Sequence, residues 1–505
     1  MSNVILWLPL AFALVALLFP GRGSGWVIAL GSAVTLGFAI GITIGFPQDQ
    51  TALQFVTDID WIAALGIHYR IGVDGISIVL VLLTAVMWLA AAVWSALDER
   101  ESPRLYSFML GLAETATLGA FLADDLILFV LFFDLMLIPF YFLIGSWGVG
   151  DRVRATTKMI IYTLIGSLLM LVAAVAAGLL TEPGQIGATV SYAMPDLLEG
   201  SLSEGSQKWL FVFFAAAFLI KMPAFLVHGW MPDAYRSCPL PVLALLSGVL
   251  SKVGAYGFLA FALPLFPKAA IDFQETMLLI GLISIGYGSA LAFTQTSLRL
   301  IAGFSSMAQL GFILMGIFSL QTEGSDGAIL LMVTHGIVVL AVFAVAAMLH
   351  ARLGSDDIAV MGGMGRRAPV LTALFLVTTL ALLAMPGSPN FIGEFAILYG
   401  VFLHNPAWAI LASTGVAMAA FYGLRMFQMT MHGDWRAETP AETTDIPSRE
   451  LSFREGIVLA PVVLLIVVFA LRPGVVFEQT EATVKQTIGA VTAPETTETA
   501  DRRVP

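Results

Sequence analysis

The segment 215–234, AAAFLIKMPAFLVHGWMPDA, places a lysine inside an apolar run and a proline two residues after it. A charge at the centre of a bilayer costs about 2.5–3.5 kcal/mol on insertion scales, so Lys221 needs a partner or a purpose. Pro223 has no N–H to donate, and the carbonyl of Leu219 therefore loses its helical partner close to the lysine. The segment predicts a membrane helix that breaks beside a buried charge.

The whole chain shares this apolar character. Of its 505 residues, 58% are hydrophobic and 12% are charged, against about 45–50% and about 25% in soluble domains. A mean hydropathy of +0.91 cannot be folded into a soluble globule without exposing apolar surface. The net charge of −11 offers no basic surface for nucleic acid. The single Cys238 excludes an internal disulfide and an all-cysteine iron–sulfur cluster within this chain.

Apolar runs separated by short polar breaks predict an all-α polytopic membrane protein with about fourteen transmembrane helices. One crossing takes about 20 apolar residues. The first run has no positive flank before it, and we interpret it as a retained span rather than a signal peptide. The approximate limits of the spans are 2–20, 26–46, 74–96, 105–122, 124–145, 157–180, 207–227, 240–264, 276–294, 298–320, 327–350, 369–403, 407–431 and 454–472.

The orientation follows from Lys and Arg counted loop by loop. Odd-numbered loops carry 14 of the 24 Lys and Arg residues, including Arg436 and Arg449, whereas even-numbered loops carry 3. We therefore expect the odd-numbered loops in the cytoplasm and both termini on the outer side. The tail 473–505 is rich in Thr, Glu and Ala and is expected to be poorly ordered. Its charged residues include Arg502 and Arg503.

Three more charges lie within apolar runs, namely Asp134 in span 5, Lys252 in span 8 and Glu394 in span 12. Glu394 follows a stretch in which Pro386 and neighbouring Gly and Pro residues interrupt the helix. Like Lys221, it is therefore a charge at a helix break. Secondary candidates are Glu114 in span 4, His228 at the end of span 7 and His335 in span 11.

Spans 7 and 12 are both interrupted, and they lie five spans apart. Broken helices at corresponding positions of two halves are typical of a transport site. The pattern predicts two five-helix repeats, spans 4–8 and 9–13, and because five is odd the second repeat would be inverted. The expected organisation is 1–104 for helices 1–3, 105–264 and 276–432 for the repeats, 433–472 for a linker and helix 14, and 473–505 for the polar tail.

A buried acid beside a buried lysine can act as a proton switch. Moving the Asp134 carboxylate, or changing its protonation, would make Lys221 bind or release a proton, with Lys252 and Glu394 as later stations. Each residue alone has a plainer explanation, because a proline kink is common in membrane helices and a lone lysine near a helix end extends to the interface. Four charges of both signs, two of them at helix breaks, favour function over packing.

No motif for a nucleotide or redox centre accompanies these residues. The glycine-rich segment 362–367, GGMGRR, is a polar loop with no strand before it. His335 and His350 are fifteen residues apart, which is about 22 Å along a helix at 1.5 Å per residue, so they cannot share a haem iron. We expect no cofactor and no metal in this chain.

Five short stretches carry a resemblance that covers nearly the whole chain. They are GVDGIS at 72–77, FFDLMLIPFYFLIG at 132–145, KMPAFLVHGWMPDA at 221–234, LSKVGAYG at 250–257 and NFIGEF at 390–395. Together they resemble the antiporter-like membrane subunits of respiratory complex I. The resemblance implies a fourteen-helix fold with inverted five-helix repeats, and it implies that Lys221, Lys252 and Glu394 are proton-pathway residues.

Single positions refine this resemblance. The glutamate at 394 resembles the residue of the M-type chains, because sister chains and the related multisubunit sodium/proton antiporters generally have lysine at this position. His335 matches the family's span-11 histidine. Three positions depart from the pattern: Asp134 stands where the family usually has Glu, while Tyr235 and Gln309 stand where it often has His.

The function implied is that of a proton-translocating membrane-arm subunit of a bacterial NADH–quinone oxidoreductase. FMN, iron–sulfur clusters and quinone are expected in partner subunits, which include sister antiporter-like chains. The expected location is the bacterial inner membrane, with both termini on the periplasmic side. The alternatives are a subunit of a multisubunit cation/proton antiporter or of a membrane-bound hydrogenase, and a purely structural spacer, against which the membrane-centre charges argue.

Overall fold

The computed structural model describes residues 1–48, 50–182, 190–434 and 450–493. Within these ranges the chain forms fourteen membrane-spanning segments, and the all-α polytopic fold predicted from the sequence is confirmed. Among the described residues, eleven helices are long and apolar enough to cross a bilayer on their own, and the three remaining spans are short or built from two pieces. The charges at Arg436, Arg449, Arg502 and Arg503 lie outside the described residues.

Twelve spans are single segments and two consist of paired helices. Spans 1–6 are Ser2–Ala16, Arg22–Ile44, Gly75–Leu97, Pro103–Leu122, Leu126–Trp147 and Arg152–Leu180. Span 7 is Glu204–Lys221 with Met231–Ser237, and spans 8–11 are Leu240–Leu265, Gln274–Thr294, Leu298–Phe318 and Thr322–Leu353. Span 12 is Pro369–Leu382 with Pro389–His404, followed by spans 13 and 14, Pro406–Met431 and Phe453–Leu471. Three short helices, Met194–Glu199, Pro267–Asp272 and Met364–Arg367, lie in the connections.

Spans 7 and 12 are both discontinuous, as predicted from Pro223 and Pro386. In the gap of span 12 the backbone turns through positive φ angles, +50° at Ala384 and +95° at Gly387. The Ser388 hydroxyl then accepts a backbone N–H and begins the second helix. The two breaks lie five spans apart, as the expected repeats require.

The break in span 7 recaptures the carbonyl groups that it frees. The Leu219 carbonyl, which cannot pair with Pro223, accepts a hydrogen bond from the Ala224 amide at 3.0 Å. The Ile220 carbonyl accepts another from the Trp230 indole, also at 3.0 Å. The sequence argument left the Leu219 carbonyl without a partner, and the structure corrects this, because an unpaired backbone group is too costly in a membrane interior.

Span 8 contains an irregularity that its sequence does not announce. Within Leu240–Leu265 the backbone widens into π-helical turns at Leu246–Leu250 and Phe258–Ala262. A π-turn leaves some carbonyl groups out of line with the regular helical pattern, and such turns are frequent at functional sites. Lys252 follows the first of these turns by two residues.

A β-hairpin stands between spans 2 and 3, in a region that sequence reasoning treated as a connecting loop. Its antiparallel strands are Gln54–Ile62 and Ile67–Val73. The Arg70 guanidinium bonds the Asp58 carboxylate across the hairpin at 2.5 Å and the Asp124 carboxylate, between spans 4 and 5, at 2.6 Å. This double ion pair fastens the hairpin to the membrane bundle.

The expectation of a poorly ordered tail is wrong for most of its length. Residues Gly474–Thr492 form a helix that buries Val476, Val484 and Ile488. These side chains recur at helical spacing and form an apolar stripe, a periodicity that a judgement from composition alone overlooks. Residues 494–505 lie outside the described part of the chain.

Two hydrogen bonds attach this C-terminal helix, Gly474–Thr492, to the bundle. The Thr483 hydroxyl accepts the Gly75 amide at the start of span 3 at 3.2 Å. The Thr480 hydroxyl donates to the Asp326 carboxylate in the first turns of span 11 at 3.0 Å. The helix therefore bridges an N-terminal span and a span of the second expected repeat.

The most buried spans form the centre of the bundle. Spans 8, 10 and 11 are enclosed along their full apolar length, whereas spans 2, 6, 13 and 14 each leave more than half of theirs open to the exterior. The latter therefore present apolar surfaces to the surroundings of the chain. Polar groups carried by spans 8, 10 and 11 must find partners inside the protein.

Replacing Gly75 by Ala should loosen the C-terminal helix. A Cβ atom at this position would lie 2.2 Å from the Gln479 carbonyl oxygen, and overpacking of this kind costs about 1–3 kcal/mol. We expect faster proteolysis of a tag placed after residue 492 in purified Gly75→Ala protein. Gly489→Ala is the matched control, because a Cβ there meets nothing within 4 Å. Equal cleavage of both variants would show that the contact does not hold the helix.

Candidate functional site

The ionisable residues singled out from the sequence lie in the interior of the bundle. Lys252 and His335 are fully enclosed, and Glu114, Lys221 and Glu394 are between 1% and 5% exposed. Asp134 is half-buried. None of these side chains extends to the interface as a lone surface lysine would, so each must be stabilised from within the protein.

Lys221 lies at the break of span 7 and faces span 5. Its Nζ approaches the Phe133 carbonyl oxygen at 3.5 Å and the centroid of the Phe133 ring at 4.4 Å. The carbonyl dipole and the negative face of the ring both favour a cation there. A cavity of about 20 Å³ lies beside the lysine, lined by Trp230, Leu246 and Leu250 among others. That is room for about one water molecule.

Asp134 neighbours the lysine without touching it. These two described residues form no direct ion pair within 4 Å, although Phe133, which contacts Lys221, is adjacent to Asp134 in the chain. One carboxylate oxygen of Asp134 is buried and has no protein hydrogen-bond partner among the described residues. Aspartate is one methylene shorter than glutamate, so the looser or water-bridged contact expected from the sequence agrees with this geometry.

Lys252 is enclosed by polar groups of spans 8 and 11. Its Nζ donates to the Ser247 carbonyl at 2.8 Å and to the Ser251 hydroxyl at 3.2 Å, and it lies 2.9 Å from Nδ1 of His335. Ser247 belongs to the first π-turn, which presents this carbonyl to the lysine. His335 was only a secondary candidate from the sequence, and the structure makes it the direct partner of Lys252.

Glu394 is held by the residue that departs from the family pattern on span 10. Gln309 Nε2 donates to Glu394 Oε1 at 2.6 Å. A glutamine cannot titrate, so it fixes the carboxyl group without competing with it for the proton. Tyr235, which also stands where the family often has His, is buried against Gly303 of span 10.

The four charged residues, which we call the row, lie on spans 5, 7, 8 and 12, and residues of spans 8 and 10 lie between their sites. Leu246 and Leu250, which line the cavity beside Lys221, belong to the π-turn that precedes Lys252. Beyond Lys252, the Ser247 hydroxyl donates to Ser306 at 3.0 Å. Ser306 lies one helical turn before Gln309 on span 10. Span 10 therefore contacts the site of Lys252 through Ser306 and the site of Glu394 through Gln309.

Two sequence candidates lie apart from this row. Glu114 accepts a hydrogen bond from the Ser32 hydroxyl of span 2 at 2.7 Å. His228 packs its ring against Tyr287, with centroids 5.3 Å apart, at the far side of the break in span 7. No described contact joins either residue to the row, so the structure brings together Asp134, Lys221, Lys252 and Glu394 with His335, and leaves Glu114 and His228 outside it.

A row of amine, imidazole and carboxyl groups can pass protons. Each group binds a proton reversibly, and the steps between them are bridged by hydroxyl and amide side chains or by space for water. In the described residues no group of three or more His, Cys, Asp or Glu is placed to hold a metal ion. The chemistry that these side chains can perform is proton transfer.

Comparison with known proteins agrees with this geometry. Residues 123–419 match the family model described as NADH:quinone oxidoreductase/Mrp antiporter, TM. The NADH-quinone oxidoreductase subunit M of Rhodobacter capsulatus is 35% identical over an alignment of 489 residues, and the alignment covers 94% of this chain and 93% of that protein.

Two solved structures have the same fold. A chain of respiratory complex I from Thermus thermophilus with bound NADH superposes with a TM-score of 0.87 at 27% identity, covering 97% of this chain and 100% of that one. A chain of the Mrp complex from Dietzia sp. gives a TM-score of 0.82 at 19% identity and covers 97% of this chain and 52% of that one. The second likeness concerns the fold alone.

Proposed function

Because the chain belongs to the NADH:quinone oxidoreductase/Mrp antiporter transmembrane family, we propose that it is a proton-translocating membrane-arm subunit of a bacterial NADH–quinone oxidoreductase. The observation that carries the proposal is the row from Asp134 to Glu394, which links buried titratable groups across both expected repeats. Structural packing alone does not account for a chain of such groups, because each costs free energy in the bilayer interior.

Each member of the row has a distinct task in this proposal. Asp134 sets the charge beside Lys221, and the change of that charge makes Lys221 bind or release its proton. Lys252 receives the proton, and His335 shares it through the 2.9 Å contact. Glu394, oriented by Gln309, is the last station before the exit.

The driving energy and the redox chemistry belong to partner subunits. Moving one proton across the membrane costs about 2.3 kcal/mol per 100 mV, and the row holds no group that could supply it. NADH oxidation with FMN and iron–sulfur clusters, and quinone reduction, would take place in those partners, which include sister antiporter-like chains. The family's antiporter members share this fold, but the relative at 35% identity favours the oxidoreductase assignment.

Replacing Lys221 by Ala should abolish proton pumping while the complex still assembles. A positioned proton-transfer group contributes about 10²–10⁴-fold to rate, so coupled turnover should fall by about 10²-fold or more. The measurement is quinone-linked NADH oxidation and proton uptake in membranes with matched subunit content. Lys208→Ala is the control, because Lys208 lies on the same helix but is half-exposed and ion-paired with Asp272. Near-normal pumping by Lys221→Ala would contradict the proposal.

Asp134→Asn should damage pumping far more than Asp134→Glu. Asparagine keeps the shape but removes the charge beside Lys221, whereas glutamate restores the charge and matches the usual family residue. Point substitutions commonly destabilise a protein by about 0.5–3 kcal/mol, so stability is followed in parallel. Both variants are assayed for proton pumping at equal complex content. If the Asn variant pumps like the parent, Asp134 is a packing residue; if Glu fails equally, geometry rather than charge governs the site.

From the charge distribution of the loops we propose that both termini lie on the periplasmic side. Val360 lies in the eleventh loop and is 46% exposed, and Lys485 lies on the exposed side of the C-terminal helix. In intact spheroplasts, a membrane-impermeant thiol reagent should label Lys485→Cys but not Val360→Cys. The parent serves as the control, since its only cysteine, Cys238, is fully buried. Labelling of Val360→Cys but not of Lys485→Cys would show that the orientation is the opposite one. The proposed proton path would not be affected by that result.

A further inference from the structure

Asn390 is fully buried, yet neither polar atom of its side chain has a protein hydrogen-bond partner in the described parts of the chain. It lies in the first turn of the second helix of span 12, one turn before Glu394. Buried amides in proteins are almost always hydrogen-bonded, and each exception calls for an explanation.

Other buried polar atoms nearby share this condition. They belong to spans 10 and 11, which pack around the second helix of span 12. Within the described residues, no protein partner is found for Gln309 Oε1, Thr334 Oγ1 and His335 Nε2. Gln309 is the partner of Glu394, and His335 is the partner of Lys252. Two of these unpaired atoms therefore belong to residues that contact the charged groups of the row.

The packing of spans 11 and 12 places Asn390 among these atoms. The backbones approach so closely that a Cβ atom added to a glycine would lie 3.0 Å or less from the residue opposite. These opposed pairs are Gly324 with Gly400, Gly327 with Ile397 and Leu331 with Gly393. As the span-11 number rises the span-12 number falls, so the helices are antiparallel. One turn further along the same register, Thr334 stands opposite Asn390.

The donors and acceptors at this level are complementary. When the Lys252 ammonium donates to His335 Nδ1, the neutral imidazole carries its own hydrogen on Nε2 and has a donor to offer. Asn390 provides both an acceptor oxygen and a donor amide, and the acceptor of Glu394 lies one turn away on the same helix face. The Asn390 amide can therefore face the His335 donor with its oxygen and the Glu394 carboxylate with its NH2 group.

We propose that Asn390 is a positioning residue of the proton path, whose amide joins the His335 imidazole to the Glu394 carboxyl through water held between spans 10, 11 and 12. This proposal rests on the proposed function. An amide does not titrate, so Asn390 orders the hydrogen-bonded route and carries no proton itself. Thr334 supplies a hydroxyl to the same water from the opposite helix.

Asn390→Leu separates this role from packing. If the side chain only filled space, leucine would be neutral or stabilising, because it replaces an unpaired polar group with an apolar one of similar shape. If Asn390 orders the route, proton pumping should fall by about tenfold or more, since misplacing reacting groups by about 1 Å costs up to about a hundredfold. Asn390→Ser, which keeps a hydroxyl and leaves room for water, should recover most of the loss.

The readouts are taken on the purified, reconstituted complex. We expect Asn390→Leu to raise the solvent deuterium isotope effect on coupled turnover, because proton transfer becomes rate-limiting, and Thr334→Val to do so to a smaller extent. Thr430→Val is the matched control, because Thr430 is equally buried but its hydroxyl is already bonded within its own helix, to Met426. Thermal unfolding of all variants verifies that the fold is retained.

A cryo-electron microscopy map at a resolution that shows ordered water gives the direct test. Water density within hydrogen-bond distance of Asn390 and of His335 or Glu394 is expected in the parent and should be lost in Asn390→Leu. The proposal is overturned if no such density exists while water is visible elsewhere in the bundle, or if Asn390→Leu pumps normally. The proposed function fails separately, through normal pumping by Lys221→Ala.

Discussion

An ion in a bilayer core must be stabilised by the protein around it, and the arrangement of this chain follows from that requirement. Lys252 receives a carbonyl, a hydroxyl and an imidazole within 3.2 Å. Lys221 has a backbone carbonyl and an aromatic face, and Glu394 has an amide. The irregular backbone serves the same need, because the π-turn in span 8 and the break in span 7 bring polar groups to places where a regular helix would hide them.

The sequence predicted the parts of the fold that depend on local chemistry. Pro223 breaks span 7 close to Lys221 by covalent geometry alone, and an apolar run of the right length crosses the membrane whatever surrounds it. The C-terminal helix was missed because its apolar stripe, Val476, Val484 and Ile488, is diluted by a polar composition. The hairpin was not predicted, because its strands lie in a region too polar for a span, which was interpreted as a connecting loop.

The partners of the charged residues could not be predicted, since they come from distant parts of the chain. Gln309 and Glu394 are 85 residues apart, and Lys252 and His335 are 83 apart. The sequence marked each of these positions, but only packing decides which face each other. The π-turn at Leu246–Leu250 has no local signature either, because neither Gly248 nor the residues around it specify a π-turn rather than a regular helical turn.

The signs of the charges also fit a path for protons. From one end the row reads carboxyl, amine, amine, carboxyl, so that full ionisation leaves no net charge. A proton that moves from Lys252 to Glu394 removes one positive and one negative charge at once, and the row stays neutral. In a medium of low dielectric constant, this step creates no new ion and therefore avoids the large solvation penalty of an isolated charge. The glutamine on Glu394 fits this account, because a histidine there could bind a proton of its own and add a positive charge to the row.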